Sequence, residues 1–173
     1  MLRLMLLRHA KAVADQGNGD HARALSPRGS ADAAALGKAL GLEYLVPELV
    51  LVSSATRTSM SAAQLLAQWP QAVAVKVTDN LYNASDEAVL AQVRGVDAHV
   101  RTLMVVGHNP AIAELALKLT GYGDRYAAVR MSQRFPPCAM AVLDFDTDQW
   151  QEVAFGKGRL ERFVIPGDAA GGA

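Results

Sequence analysis

The chain opens with Leu2-Arg3-Leu4-Met5-Leu6-Leu7-Arg8-His9-Ala10-Lys11, a short apolar run that stops at a histidine set among cations. It is too short and too interrupted for the apolar stretch of an export signal, which needs roughly 7 to 15 residues, because Arg3 breaks it and Arg8 ends it. Similar short runs recur at Leu49 to Ser53, Ala74 to Val77, Leu103 to Val106 and Ala139 to Phe145, with a last one near Gln151 to Phe155. Between them, Pro27 to Leu40, Thr56 to Trp69, Asp86 to Val93 and Pro110 to Leu119 have helix-forming composition and apolar spacings of three and four. Strands alternating with helices predict an α/β protein, a three-layer αβα sandwich around a mainly parallel sheet, in the order βαβαβαβαββ. The acids of Asp144-Phe145-Asp146-Thr147-Asp148 read as a hairpin turn between the last two strands.

Length and composition narrow the function classes. The 173 residues suit one domain by the prior of about 150 residues per domain. We expect that domain over residues 1–166, with the small, Gly-rich end 167–173 as a flexible tail. Hydrophobic residues at 51% and charged residues at 20% exclude disordered, collagenous and disulfide-scaffold classes. Seventeen Lys and Arg balance seventeen Asp and Glu, so no global field would draw nucleic acid or an anionic membrane. Any anion site must be local. The single Cys138 has no partner for an internal disulfide, reads as a small buried hydrophobe, and fits a reducing compartment such as the cytoplasm. No apolar run approaches the roughly 18 residues of a membrane helix.

Ligands of open parallel sheets bind outside the carboxyl ends of the strands, so the residues that follow each strand matter most. The first strand runs into Arg8-His9-Ala10-Lys11, the second into Ser53-Ser54-Ala55-Thr56-Arg57, the fourth into Gly107-His108-Asn109-Pro110. Ser53 or Ser54 is expected to cap the second helix, whose first turn carries Arg57 where the helix dipole disfavours a cation. A bound anion would offset that. Asn109 is expected as the cap of the fourth helix with Pro110 at its first position, a tight turn that leaves free N–H groups for an anion. Each piece alone also fits a bland structural role: a packed histidine, a capped helix, a solvated arginine. Together, two histidines and two arginines at one sheet edge suit phosphoryl transfer. Guanidinium forks match phosphate oxygens, and a neutral imidazole can attack phosphorus while a second, protonated one stabilises the transferring group. The chain has no His-x-x-x-His, no HExxH, no P-loop and no GxGxxG, so neither a metal nor a nucleotide cofactor is expected.

At these positions the sequence resembles the histidine phosphatase superfamily, in its phosphoglycerate mutase-like branch, and within it the SixA-type phosphohistidine phosphatases. The resemblance spans nearly the whole chain through Leu6-Leu7-Arg8-His9-Ala10-Lys11-Ala12, Arg23-Ala24-Leu25-Ser26-Pro27-Arg28-Gly29, Ser53-Ser54-Ala55-Thr56-Arg57-Thr58, Leu81-Tyr82-Asn83-Ala84 and Val106-Gly107-His108-Asn109-Pro110. It implies a metal-independent phosphatase in which His9 becomes phosphorylated, Arg8 and Arg57 grip the phosphoryl group and His108 completes the pocket. Arg23 and Asn109 are added as substrate-binding candidates. The implied partner is a phosphorylated protein bearing phosphohistidine, or a small phosphorylated molecule; a non-catalytic phospho-ligand module is the alternative of another class. The sequence departs from the family at Ala24, where Pro is frequent, and in lacking a Glu at the general-acid position of mutase-type members. Asp86 and Glu87 stand near that region.

Overall fold

The computed structural model describes residues Met1–Asp168; residues 169–173, most of the expected tail, lie outside the described residues. Strand β1, Leu2–Arg8, is followed by helix α1 (Pro27–Leu42), β2 (Leu49–Ser53), α2 (Thr56–Leu66), β3 (Ala74–Thr78), α3 (Asp86–Arg94), β4 (Thr102–Gly107), α4 (Ala111–Leu119), β5 (Thr120–Gly123), α5 (Arg125–Gln133), β6 (Met140–Phe145) and β7 (Gly158–Val164). The strands form one sheet in the order β3-β2-β4-β1-β6-β7-β5, in which β6 runs against all the others.

Alternation along β1 explains the layering. Leu2, Leu4 and Leu6 pack into one buried cluster with α3, α4 and α5, while Met5 and Leu7 pack into the other with α1 and α2. All five are fully buried, each stabilising the fold by up to about 1.5–3 kcal/mol. Arg3, which interrupts the run, pairs in register with Asp144 of β6 and donates Nε and Nη2 to its two carboxylate oxygens, both at 2.7 Å. The buried Asp144 therefore belongs to a strand and an ion pair, not to the hairpin turn expected of it.

Two further expectations are corrected, the place of the last strand and the number of elements before it. The last strand is Gly158–Val164, not 151–155, where a 3-10 turn (Trp150–Glu152) sets the buried Trp150 indole to donate to Val100 O at 2.8 Å. The unit β5-α5 was not expected at all, since β5 is Thr-Gly-Tyr-Gly and α5 buries only Ala127 and Met131. At the terminus, Gly167 and Asp168 lie in a turn, and the Asp168 carboxylate accepts from Arg130 Nη2 at 2.8 Å and Ile165 N at 3.1 Å. No helix among the described residues is long and apolar enough to cross a membrane.

Register sets the functional edge. Arg8 pairs with Gly107 and Val52 with Val106, so β1, β2 and β4 end at one level and deliver His9, Ser53 and His108 side by side. Behind them, Ser26 N and Ser26 Oγ both donate to Lys11 O, and Gly29 N donates to Ser26 Oγ. A Cβ on Gly29 would stand 2.0 Å from Lys11 O, so only glycine lets α1 approach this closely.

Candidate active site

His9 is held from both sides. Its backbone N donates to Gly107 O at 3.0 Å, and Cys138 N donates to His9 O at 3.0 Å. Its Nδ1 lies 2.7 Å from Ala10 O, which can only accept, so Nδ1 carries the proton and Nε2 carries the lone pair. Arg57 Nε donates to that Nε2 at 3.3 Å. A serine that the sequence reading passed over links the two: Ala10 N donates to Ser61 Oγ at 2.9 Å, and Ser61 Oγ donates to Arg57 O at 2.7 Å. Its signal was the spacing Arg57 to Ser61, one helical turn.

The His108 ring centroid is 5.3 Å from that of His9. Its Nε2 is 2.8 Å from Ser53 Oγ, and His21 Nε2 is 3.0 Å from Ser54 Oγ, so both serine hydroxyls serve histidines. The expected serine cap is thus absent. Ala55 is the cap residue of α2, without a side-chain hydrogen bond, and the first N–H groups of the helix beside Arg57 gain no capping side chain. The N-cap position of α4 falls on Pro110, one residue later than expected, and Pro110 makes no capping bond; the Asn109 side chain serves the helix end from one residue before it. Its Oδ1 accepts from Ala113 N in the first turn at 3.3 Å, and its Nδ2 donates to Phe135 O at 2.9 Å. Phe135 O also accepts from Arg8 Nη1 at 3.1 Å, which places Arg8 and Asn109 on one carbonyl.

Arg23 does not reach His9. It donates Nε to Val13 O at 2.9 Å and Nη1 to Asp20 at 3.1 Å, in an outer ring around Arg57. Asp20 and Tyr82 complete that ring: Asp20 was missed, although the i,i+3 spacing with Arg23 was a signal, and the edge of Tyr82 packs on His108 at 5.6 Å. Asp86 is drawn away from the histidines by Lys118 Nζ at 2.6 Å, which holds its carboxyl below the ordinary range. Glu87, exposed in the first turn of α3, has no hydrogen bond to the histidines or arginines of the edge.

Burial is the first cause of the electrostatics here. It pushes His9 down to about 4, with the cations Arg57, Arg8 and Arg23 adding to the shift and the Ala10 bond opposing it. Burial and then Arg57 push His108 down to about 3. Both imidazoles are therefore neutral in the free protein, including the one expected to be protonated. Burial also lowers the Arg8 guanidinium from its usual value and lifts the Cys138 thiol to about 12, which leaves that thiol inert. Among the described residues, the two buried side-chain polar atoms with no hydrogen-bond partner are Arg8 Nε and His108 Nδ1. Such orphans cost about 1–3 kcal/mol each and call for a missing partner.

No protein-family model matches the chain. A candidate phosphohistidine phosphatase SixA from Nakamurella multipartitia superposes with a TM-score of 0.83 at 28% identity, covering 96% of each chain. Its counterpart from Agrobacterium tumefaciens gives 0.79 at 28% identity, over 95% of this chain and 99% of that one. An uncharacterized protein of Mycobacterium tuberculosis (strain ATCC 25618 / H37Rv) is 35% identical over 162 residues, 92% of this chain and 99% of that protein. The fold and its edge define the class: the chain belongs to the histidine phosphatase superfamily, with the phosphoglycerate mutase-like architecture. Within that class, both solved structures at 28% identity carry the SixA description.

Proposed function

We propose that this protein is a phosphatase that removes the phosphoryl group from phosphohistidine in a partner protein, through a phosphohistidine formed on its own His9. The observation that carries the reading is the pair of buried orphans, Arg8 Nε and His108 Nδ1, at the sheet edge where Arg57 already points at His9. A phosphoryl group supplies several anionic acceptor oxygens, which match a guanidinium better than the oxygens of a neutral ligand do.

In the first step the His9 Nε2 lone pair attacks phosphorus as the bond from phosphorus to the substrate nitrogen breaks. Arg8 and Arg57 neutralise the equatorial oxygens. The leaving imidazole departs neutral when its remote nitrogen is protonated beforehand, so no strong acid is needed. The second step repeats that logic. Nδ1–H of His9, held by Ala10 O, makes phosphorylated His9 a cationic phosphoimidazolium, and attack of water on phosphorus returns the neutral Nδ1–H tautomer. An alkyl ester leaving group would need a proton donor, and Asp86 is engaged with Lys118. A phosphate dianion beside His108 shifts its imidazole back toward the protonated form, since the added negative charge opposes the burial that keeps it neutral. Arg23 and Asn109 act indirectly, through Asp20 and through the Phe135 carbonyl. The single buried Cys138 is in keeping with a reducing compartment such as the cytoplasm.

The test is labelled-phosphate trapping, quenched without acid, on a phosphohistidine-bearing carrier protein and a panel of phosphate metabolites. Expected are a labelled protein that His9→Ala abolishes and a higher kcat/KM for the carrier. A metabolite turned over faster would make the chain a small-molecule phosphomonoesterase, and tight phosphate binding without turnover would make it a binding module. Label surviving in His9→Ala would move the nucleophile to His108.

A further inference from the structure

Asp20 sits in the 3-10 turn Asp20–Ala22, and both terminal nitrogens of Arg57 end on it. Arg57 Nη1 donates to the Asp20 carbonyl at 2.8 Å and Nη2 to its carboxylate Oδ2 at 3.1 Å. That leaves Nε as the guanidinium nitrogen turned toward His9 Nε2. The carboxylate does not depend on Arg57 for its place. Tyr82 OH donates to Oδ2 at 2.6 Å and Arg23 Nη1 to Oδ1 at 3.1 Å, and Arg23 is itself fixed by Val13 O. These donors hold the Asp20 carboxyl well below the usual carboxylate range, Tyr82 first and Arg23 next, with Arg57 adding.

Building on the phosphatase reading, we propose that Asp20 is the positioning residue of Arg57: it grips both terminal nitrogens and so presents the Nε edge to the phosphoryl group on His9. The carboxylate is not a stand-in that phosphate displaces. The carbonyl bond to Nη1 could be exchanged only by moving the whole turn, which Tyr82 and Arg23 anchor independently. Its charge also sits badly for any other purpose. A carboxylate bonded to the phosphate-gripping guanidinium repels a phosphate dianion, so electrostatics alone would favour its removal. Geometry works in the opposite direction, because a misplacement of about 1 Å in a reacting array can cost about 10²-fold in rate.

This opposition of signs gives the test. In the full chain, Asp20→Ala and the isosteric Asp20→Asn are compared with wild type for kcat and KM on the phosphohistidine carrier, inorganic phosphate affinity and Tm. Asp20→Ala is expected to lower kcat by about 10- to 10²-fold while phosphate binds as tightly as in wild type or tighter. Asp20→Asn, which keeps the carbonyl contact and one acceptor oxygen, is expected to lie between, and Asp20→Glu to recover part of kcat. The role is overturned if Asp20→Ala keeps kcat within about twofold, or if phosphate affinity falls in step with kcat, the mark of a loop that merely holds the site together. A wild type with no turnover on any phosphoryl donor removes the phosphatase reading and this role with it; an active wild type matched by Asp20→Ala removes this role alone.

Discussion

The edge formed by the carboxyl ends of β1, β2 and β4 and the outer third formed by β5, α5 and β7 are built on opposite principles. At the edge, polar side chains are forced into the interior. Of the seven buried polar or charged residues among those described, five stand here: His9, Ser53, Arg57, Thr58 and Ser61. The outer third buries apolar groups such as Ala127, Met131, Leu160 and Phe163 and keeps its charges outward in pairs, Arg130 with Asp168 and Arg159 with Glu161. Burying polar groups is costly unless every one is bonded, and at the edge Arg8 Nε and His108 Nδ1 are not. The edge therefore draws on stability supplied elsewhere, and damage to the two regions should register in different measurements.

The largest effect is expected at the edge. Arg57→Ala should lower kcat/KM by about 10²–10³ and weaken phosphate binding, with a modest change in Tm because the half-exposed Asp20 can rehydrate. A fall in Tm proportionate to the loss of rate would break the comparison. In the outer third, Met131→Ala empties a buried position of α5 and should cost about 2–5 kcal/mol in denaturant unfolding while leaving kcat within about twofold. The smallest effect is the pH response. His9 must be neutral to attack, and its value near 4 keeps it so, hence kcat/KM corrected for substrate ionisation should stay flat from pH 8 to 5 and fall only as pH drops through about 4. A midpoint near the ordinary 6.5 would show that burial does not govern this imidazole. Stability follows with the same sign. The unfolded chain takes up the proton near 6.5 and the folded one near 4, so the fold loses stability as pH falls through that window.

Legibility followed the same divide. Strand ends carrying Arg8, His9, Arg57 and His108 stood out because a charged or titratable residue after an apolar run is conspicuous, and the structure brings these four to one edge. The hydroxyls were misassigned because a serine before a helix is ordinarily its cap; only the fold shows His108 and His21 competing for Ser53 and Ser54. In the outer third the signals themselves are weak. Thr-Gly-Tyr-Gly has no period, and α5 is polar around most of its surface. Gly158–Val164 carries Arg159, Glu161 and Arg162 among seven residues, and the shift of register between Val142 and Leu143 breaks its alternation. Asp20 was hidden for another reason: its partners Arg57 and Tyr82 lie 37 and 62 residues away.

The seam at Lys11 has an evolutionary corollary. Ala12 bridges Leu25, Val13 N donates to Ala24 O, and Ser26 and Gly29 close on Lys11, so the segment between Val13 and Ala24 leaves and re-enters the fold through a sewn neck. Insertions or deletions in its exposed first half, between Ala14 and Gly19, can be absorbed without a tug on His9, because the closure entropy of a loop grows only slowly with its length. Natural variants can thus lengthen or shorten the stretch between Ala14 and Gly19 as a cassette, while Asp20 and Arg23 at its end must stay in place to hold Arg57.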